Sequence, residues 1–201
     1  MSIAGSVSVP VTLTCVILSY FLGTFPSALL AGGRAGVDPT AAGSRNPGTT
    51  NVLRTAGRSA AGLTLLGDAG KGALAAVLGW AIGGHGLGVA CGVAAVVGHV
   101  APVTRQFRGG KGVATGAGML LVLFPGLAAV AAAAFGLAVA VTRTVSVGSL
   151  AACTAVPVVA AIVGVPGGEL AGLIVGSLLV LLRHSGNIGR LLRGEEGTLR
   201  A

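Results

Sequence analysis

Three stretches of this 201-residue chain bring together residue types suited to holding phosphate. The first, 43–57, reads Gly-Ser-Arg-Asn-Pro-Gly-Thr-Thr-Asn-Val-Leu-Arg-Thr-Ala-Gly. Gly43 and Gly48 allow a tight backbone, Ser44, Thr49, Thr50 and Asn51 are good N-cap residues or hydroxyl donors, and Arg54 falls one turn into the helix that follows. A glycine loop entering a helix offers free N–H groups to an anion, and an arginine can clamp that anion with two hydrogen bonds. The second stretch runs from Gly98-His99-Val100-Ala101-Pro102 to Arg108-Gly109-Gly110-Lys111-Gly112-Val113-Ala114-Thr115. Glycines on both sides of Lys111 leave bare backbone beside the ammonium, although the spacing differs from that of a Walker A loop. In the third, 183–196, helical spacing puts Arg183, Asn187 and Arg190 on one face, with His184 beside them. Two lesser features lie nearby: Asp68 with Lys71 at i,i+3, and Ser146 and Ser149 after Arg143, placed to cap a helix or touch a ligand. Taken singly, each feature also fits a plainer role as a connecting loop, a positive membrane anchor or an amphipathic interfacial helix.

The elements that must position these residues are transmembrane helices. Apolar residues make up 53% of the chain and charged ones 9%, and there are 36 glycines. Mean hydropathy is +0.92. A soluble domain of this size cannot bury so much apolar surface, so a soluble or disordered chain is excluded. Long stretches without alternation favour helices over a barrel. The net charge of +8 sits in groups between apolar segments, with few aromatics to stack bases, which points to membrane orientation rather than nucleic acid. Cys15, Cys91 and Cys153 each lie inside an apolar run and read as small buried residues, with no metal spacing. No basic leader precedes the first apolar segment, so 7–33 is expected to be a span rather than a cleaved signal.

Uncharged stretches cover 72–104 and 112–142, and 144–182 is broken only by Glu169. Each has a breaker near its middle: Gly83-Gly84-His85-Gly86, Phe124-Pro125-Gly126 and Pro166-Gly167-Gly168-Glu169. Three helical hairpins follow, with every basic group on one face, which the positive-inside rule makes the cytoplasm. With 7–33 as a first crossing, the expectation is an all-α polytopic bundle of about seven transmembrane helices. Its N-terminus lies outside, its C-terminus is cytoplasmic, and it forms a single domain over 1–201. The piece at 112–124 is short for a crossing of about 30 Å. Abundant glycine and alanine suit close helix packing in lipid.

In order along the chain, these motifs resemble the acyl-phosphate:glycerol-3-phosphate acyltransferase (PlsY) family of bacterial membranes. GSRNPGTTNVLRTAG at 43–57 is similar to its GSGNPGATNV…R-x-x-G signature. Asp68-Ala69-Gly70-Lys71-Gly72 is similar to its D-x-x-K-G, and 98–115 to its G-H-x-x-P-V…F-K-G-G-K-G-V-A-T. Arg143 to Ser149 resembles R-x-V-S-x-x-S, and 183–194 resembles R-H-x-x-N-I-x-R-L-L-x-G. Arg45 stands where the family has glycine, and Ser185 and Gly186 replace its Arg-Glu.

The resemblance implies transfer of a fatty acyl group from acyl phosphate to the sn-1 hydroxyl of glycerol 3-phosphate, giving lysophosphatidic acid and phosphate. It implies no cofactor and no metal. The expected partners are those two small substrates, membrane lipids and a functional link to the enzyme that makes acyl phosphate; nucleic acid is not among them. The expected catalytic residues are Ser44, Arg54, Lys111, Ser149, His184 and Asn187, with Gly43, Arg45, Asn46, Gly48, Thr50, Asn51, Gly109, Gly110 and Gly112 receiving phosphate. Of these, Ser44, Asn46 and Lys111 are assigned to acyl phosphate, and Arg54, Ser149, His184 and Asn187 to glycerol phosphate. A mixed anhydride is already activated, so positioning and charge stabilisation suffice without a protein nucleophile. His184 suits a general base, whereas the resemblance favours a substrate phosphate oxygen in that role. The His-x4-Asp pattern of acyl-CoA acyltransferases is missing, since Ala90, Thr104 and Gly189 stand five residues after His85, His99 and His184. A small anion transporter is the competing class, disfavoured by the lack of charge in mid-span.

Overall fold

The computed structural model describes residues 7–199, which contain helices and no strand. In chain order these are α1 (Val9–Gly23), α2 (Ser27–Arg34), α3 (Thr49–Val100), α4 (Val113–Leu123), α5 (Pro125–Thr142), α6 (Val145–Ile162), α7 (Gly167–Arg183) and α8 (Ser185–Leu192). A 3₁₀ turn, Val103–Arg105, follows α3. The first apolar segment is one candidate span, Val9–Arg34, as expected, with a local break at Thr24 to Pro26 between α1 and α2.

Helix α3 is interrupted at Gly57 and again at Gly83 and Gly84, where Gly84 takes a φ of 77° that side chains rarely adopt. The second interruption is the expected hairpin turn: a Cβ on Gly79 would strike the carbonyl of Leu87, so the two arms fold back against each other. The other breakers separate α4 from α5 and α6 from α7. All three turns gather at one end of the bundle. There His85 Nε2 lies 2.8 Å from the Leu123 carbonyl, and His85 Nδ1 lies 2.9 Å from Glu169 Oε2. The motif loops gather at the opposite end, where the Leu199 N–H donates to the Arg143 carbonyl at 2.7 Å and Arg54 reaches Gly197.

By length and composition, Val9–Arg34, Thr49–Arg105, Pro125–Thr142 and Val145–Ile162 can each cross a membrane, and the bent pair α7–α8 adds a fifth candidate. The short piece expected at 112–124 is α4, with 11 residues, or about 16 Å at 1.5 Å per residue.

Small residues set the packing. Gly72 and Gly118 let α3 and α4 meet backbone to backbone, because a Cβ on either would strike the carbonyl of Thr115 or Ala69. Gly23 and Gly98 do the same for α1 against α3. The main apolar core joins Val89 of α3, Met119 and Leu120 of α4, Val156 of α6 and Leu173 of α7. Cys15 and Cys91 are buried as expected, whereas Cys153 is only half-buried, because it borders a cavity.

Candidate active site

Loop 109–111 leaves α3 and enters α4 with Gly112 in a left-handed conformation, φ 88°. Its backbone is gripped from two sides. The Gly109 and Gly110 N–H groups donate to the Val100 and His99 carbonyls, both at 3.1 Å. From α7, Arg183 donates to the Gly109 carbonyl at 3.0 Å and the Gly110 carbonyl at 3.3 Å. Held this way, Lys111 donates through Nζ to Asn187 Oδ1 at 2.6 Å. Burial pushes the Lys111 ammonium down to about 8; Glu196 opposes that shift, and Arg190, Arg183 and Arg54 add to it.

Asn187 passes the contact on, donating through Nδ2 to Glu196 Oε1 at 2.5 Å. The same oxygen accepts from Ser146 Oγ at 2.8 Å, and Glu196 Oε2 accepts from Arg190 Nε at 2.7 Å. Burial works against the Glu196 carboxylate, yet the hydrogen bonds from Asn187, Ser146 and Arg190 hold it below its ordinary range. Arg54 joins at the edge by donating to the Gly197 carbonyl at 3.0 Å. Lys111, Asn187 and Arg54 therefore converge, together with Ser146, expected to cap a helix or touch a ligand, Arg190, expected on the face of Asn187, and Glu196, to which the sequence assigns no role. Glu196 is separated by 50 residues from Ser146 and 9 from Asn187, and no short-range pattern signals such a contact.

His184 is 1% exposed, and its Nδ1 lies 2.8 Å from the Val180 carbonyl. A carbonyl only accepts, so Nδ1 carries the proton and Nε2 keeps the lone pair. Of the two roles expected for Ser149 the capping one does not hold: its hydroxyl donates to the Val145 carbonyl at 3.1 Å within α6, and the helix starts earlier, after Thr144. The single face expected for Arg183, Asn187 and Arg190 is split as well. Helices α7 and α8 bend by 53° at His184, so Arg183 turns to the Gly109–Gly110 carbonyls while Asn187 and Arg190 face Glu196.

In the first loop Gly48 precedes α3 and no side chain caps the helix, contrary to the expectation for Ser44, Thr49, Thr50 and Asn51. Asn51 instead organises the loop that leads in. Its Oδ1 accepts from the Ser44 N–H at 2.9 Å, and its Nδ2 donates to the carbonyls of Pro39 at 2.8 Å and Ala42 at 3.1 Å. Gly43 and Arg45 have φ of 59° and 57°. Arg45, where the family pattern has glycine, is thus held in a left-handed conformation costing about 1 kcal/mol. Among the described residues, the side chains of Ser44, Arg45 and Asn46 make no hydrogen bond to the Lys111 group, and Pro47 is the first-loop residue that lies beside Gly110.

Next to the polar group lies an apolar cavity of about 240 Å³. It begins at Gly112 and Val113, immediately after Lys111, and follows α4 to Leu121 between α5, α6 and α7. The arrangement can hold an anionic head at Lys111 with an apolar tail beside it.

The sequence model of the family described as glycerol-3-phosphate acyltransferase matches residues 13–194. The glycerol-3-phosphate acyltransferase of Rhizobium meliloti (strain 1021) is 42% identical over 194 residues, 94% of this chain and 93% of its own. That of Azotobacter vinelandii (strain DJ / ATCC BAA-1303) is 47% identical over 188 residues, 90% and 95% of the two chains. The crystal structure of PlsY (YgiH), an integral membrane glycerol 3-phosphate acyltransferase, in its glycerol 3-phosphate form matches with a TM-score of 0.90. It is 32% identical, covering 94% of this chain and 96% of that one. Its lysophosphatidic acid form matches at 0.88. With a family match over nearly its whole length and the same helical fold, this chain belongs to the glycerol-3-phosphate acyltransferase family of integral membrane enzymes.

Proposed function

We propose that the enzyme moves a fatty acyl group from acyl phosphate to the sn-1 hydroxyl of glycerol 3-phosphate, at the cytoplasmic face of the bacterial inner membrane. The observation that carries this reading is that Lys111 directly precedes Gly112 and Val113, which line the apolar cavity. An acyl phosphate fits both features, with its phosphate on Lys111 and the glycine-loop amides and its chain against α4. Ser44 and Asn46 complete the acyl-phosphate side, while Arg54, Ser149, His184 and Asn187 receive glycerol 3-phosphate. The sn-1 oxygen attacks the acyl carbon, the bond from that carbon to the phosphate oxygen breaks, and the hydroxyl proton passes to a phosphate oxygen. His184 Nε2, with its lone pair free, orients that hydroxyl. Lys111 and the amides stabilise the charge on the departing phosphate.

Seven crossings with the N-terminus outside belong to the same reading, which counts the two arms of α3 separately and takes α4 as a short crossing beside the other candidate spans. Val7, just before α1, packs against Gly83, at the end away from the motif loops. The test is phosphate release from palmitoyl phosphate by purified protein, with and without glycerol 3-phosphate, beside a reaction given palmitoyl-CoA. Release that requires glycerol 3-phosphate, with no reaction from the CoA ester, is expected. Turnover of the CoA ester in its place overturns the assignment of the donor.

A further inference from the structure

One group of charges lies outside the cluster around Lys111. Asp68, Lys71 and His99 are 3%, 4% and 8% exposed on α3. Lys71 Nζ lies 2.8 Å from Asp68 Oδ1, and His99 Nδ1 lies 3.4 Å from the same oxygen. Lys71 also donates to the Phe25 carbonyl at 3.1 Å, at the break between α1 and α2. Apolar residues would join these helices at less cost than buried charges, so helix packing alone does not explain them.

Their surroundings point to a task. A cavity of about 20 Å³ beside them, enough for one water, is also lined by Ser27, Pro47 and Gly110. The first motif loop, the 109–111 loop and the α1–α2 break thus meet at this cluster. Gly110 rests directly on the imidazole, since a Cβ there would collide with three ring atoms of His99. Its N–H donates to the His99 carbonyl, while Arg183 holds its own carbonyl from the other side.

We propose that Asp68, Lys71 and His99 are positioning residues for acyl transfer. The ion pair fixes the His99 ring, the ring fixes Gly110, and the loop so held delivers the Lys111 ammonium to the phosphate. This rests on the reading that Lys111 binds phosphate during transfer. Catalysis by preorganised charge is sensitive to small displacements, and an error of 1 Å can cost about 100-fold in rate.

The experiment compares His99→Leu, which keeps bulk but loses the bond to Asp68, with His99→Gln, which keeps an N–H able to reach the carboxylate. Both are assayed with palmitoyl phosphate and glycerol 3-phosphate beside the unsubstituted enzyme, and thermal midpoints are measured in detergent. His99→Leu is expected to keep its midpoint and lose roughly tenfold or more in kcat, with His99→Gln within about threefold of the parent. Equal kcat in the two variants overturns the proposal. If His99→Leu does not fold, the double variant Asp68→Leu with Lys71→Met removes both charges together and leaves neither unpaired. That variant is expected to fold and to be about tenfold slower or worse. A folded double variant with the parent kcat, or failure of both variants to fold, overturns the proposal, the latter because the cluster then holds the bundle rather than the loop. An inactive parent enzyme would instead refute the acyl-phosphate reading.

Discussion

A lysine holds an anion only while it is protonated, and the Lys111 ammonium is pushed down to about 8. The charged form therefore predominates below that pH and is lost above it. The kcat/KM of the enzyme is expected to fall as pH rises through about 8. Lys111→Arg, which stays charged, should move this basic limb upward even if it lowers the maximum rate, and Lys111→Ala should abolish turnover in a folded protein. An unmoved limb in Lys111→Arg would assign the titration to another group. Glu196 carries a second prediction, because Asn187, Ser146 and Arg190 all converge on its carboxylate. Glu196→Gln removes the charge that Arg190 and Lys111 face, and partners of charged groups left unsatisfied cost about 1–3 kcal/mol. A thermal midpoint lower by several degrees and a kcat down about tenfold are expected, and parent values for both would refute the role given to this carboxylate. At this scale the sequence revealed Lys111, Asn187 and Arg54 through their motif context. It did not reveal Glu196 or the His99–Asp68 contact, because those pairings join positions far apart in the chain and follow no local period.

Backbone breakers were the most legible elements. Gly83-Gly84 and Phe124-Pro125 break the helices where expected, whereas the third turn falls just earlier, ending at Pro166, and Gly167 to Glu169 open α7. The bend at His184 was not legible: no proline or left-handed glycine marks it, and 183–190 reads as continuous helix. Helix contacts were legible only as an abundance of small residues; which glycines matter depends on which helices meet. Gly118 faces the Ala69 carbonyl, whereas nothing lies within 4 Å of a Cβ added at Gly136. Gly118→Ala should therefore lower stability by about 1–3 kcal/mol through overpacking at the α3–α4 contact. Gly136→Ala, in α5, should be neutral or stabilising by about 0.5–1 kcal/mol. Thermal midpoints of the two purified variants in detergent test this contrast, and equal values would remove the close-approach argument.

Across the whole molecule the two ends differ in chemistry. One end collects the motif loops and most of the basic residues, and the other is tied by the pair His85–Glu169 to the Leu123 carbonyl, with Trp80 and Phe124 edge-on to the imidazole. Such polarity suits an enzyme that takes a charged head at one face and an apolar chain in its interior. Ala128 lies in the first turn of α5, toward the His85 end, and borders the cavity there. Ala128→Phe should fill that end and leave the Lys111 end open. A long acyl chain then loses burial for its last carbons, while a short one never reaches them. Two methylenes left unburied, at about 0.8 kcal/mol each, amount to roughly tenfold. The kcat/KM for palmitoyl phosphate is expected to fall by about that factor relative to lauroyl phosphate in this variant, with the lauroyl value near that of the parent. Measuring both donors in both proteins decides the point. An equal loss for the two chain lengths would mean that the phenylalanine disturbs the bundle and that the acyl chain lies elsewhere, along the lipid-facing surface.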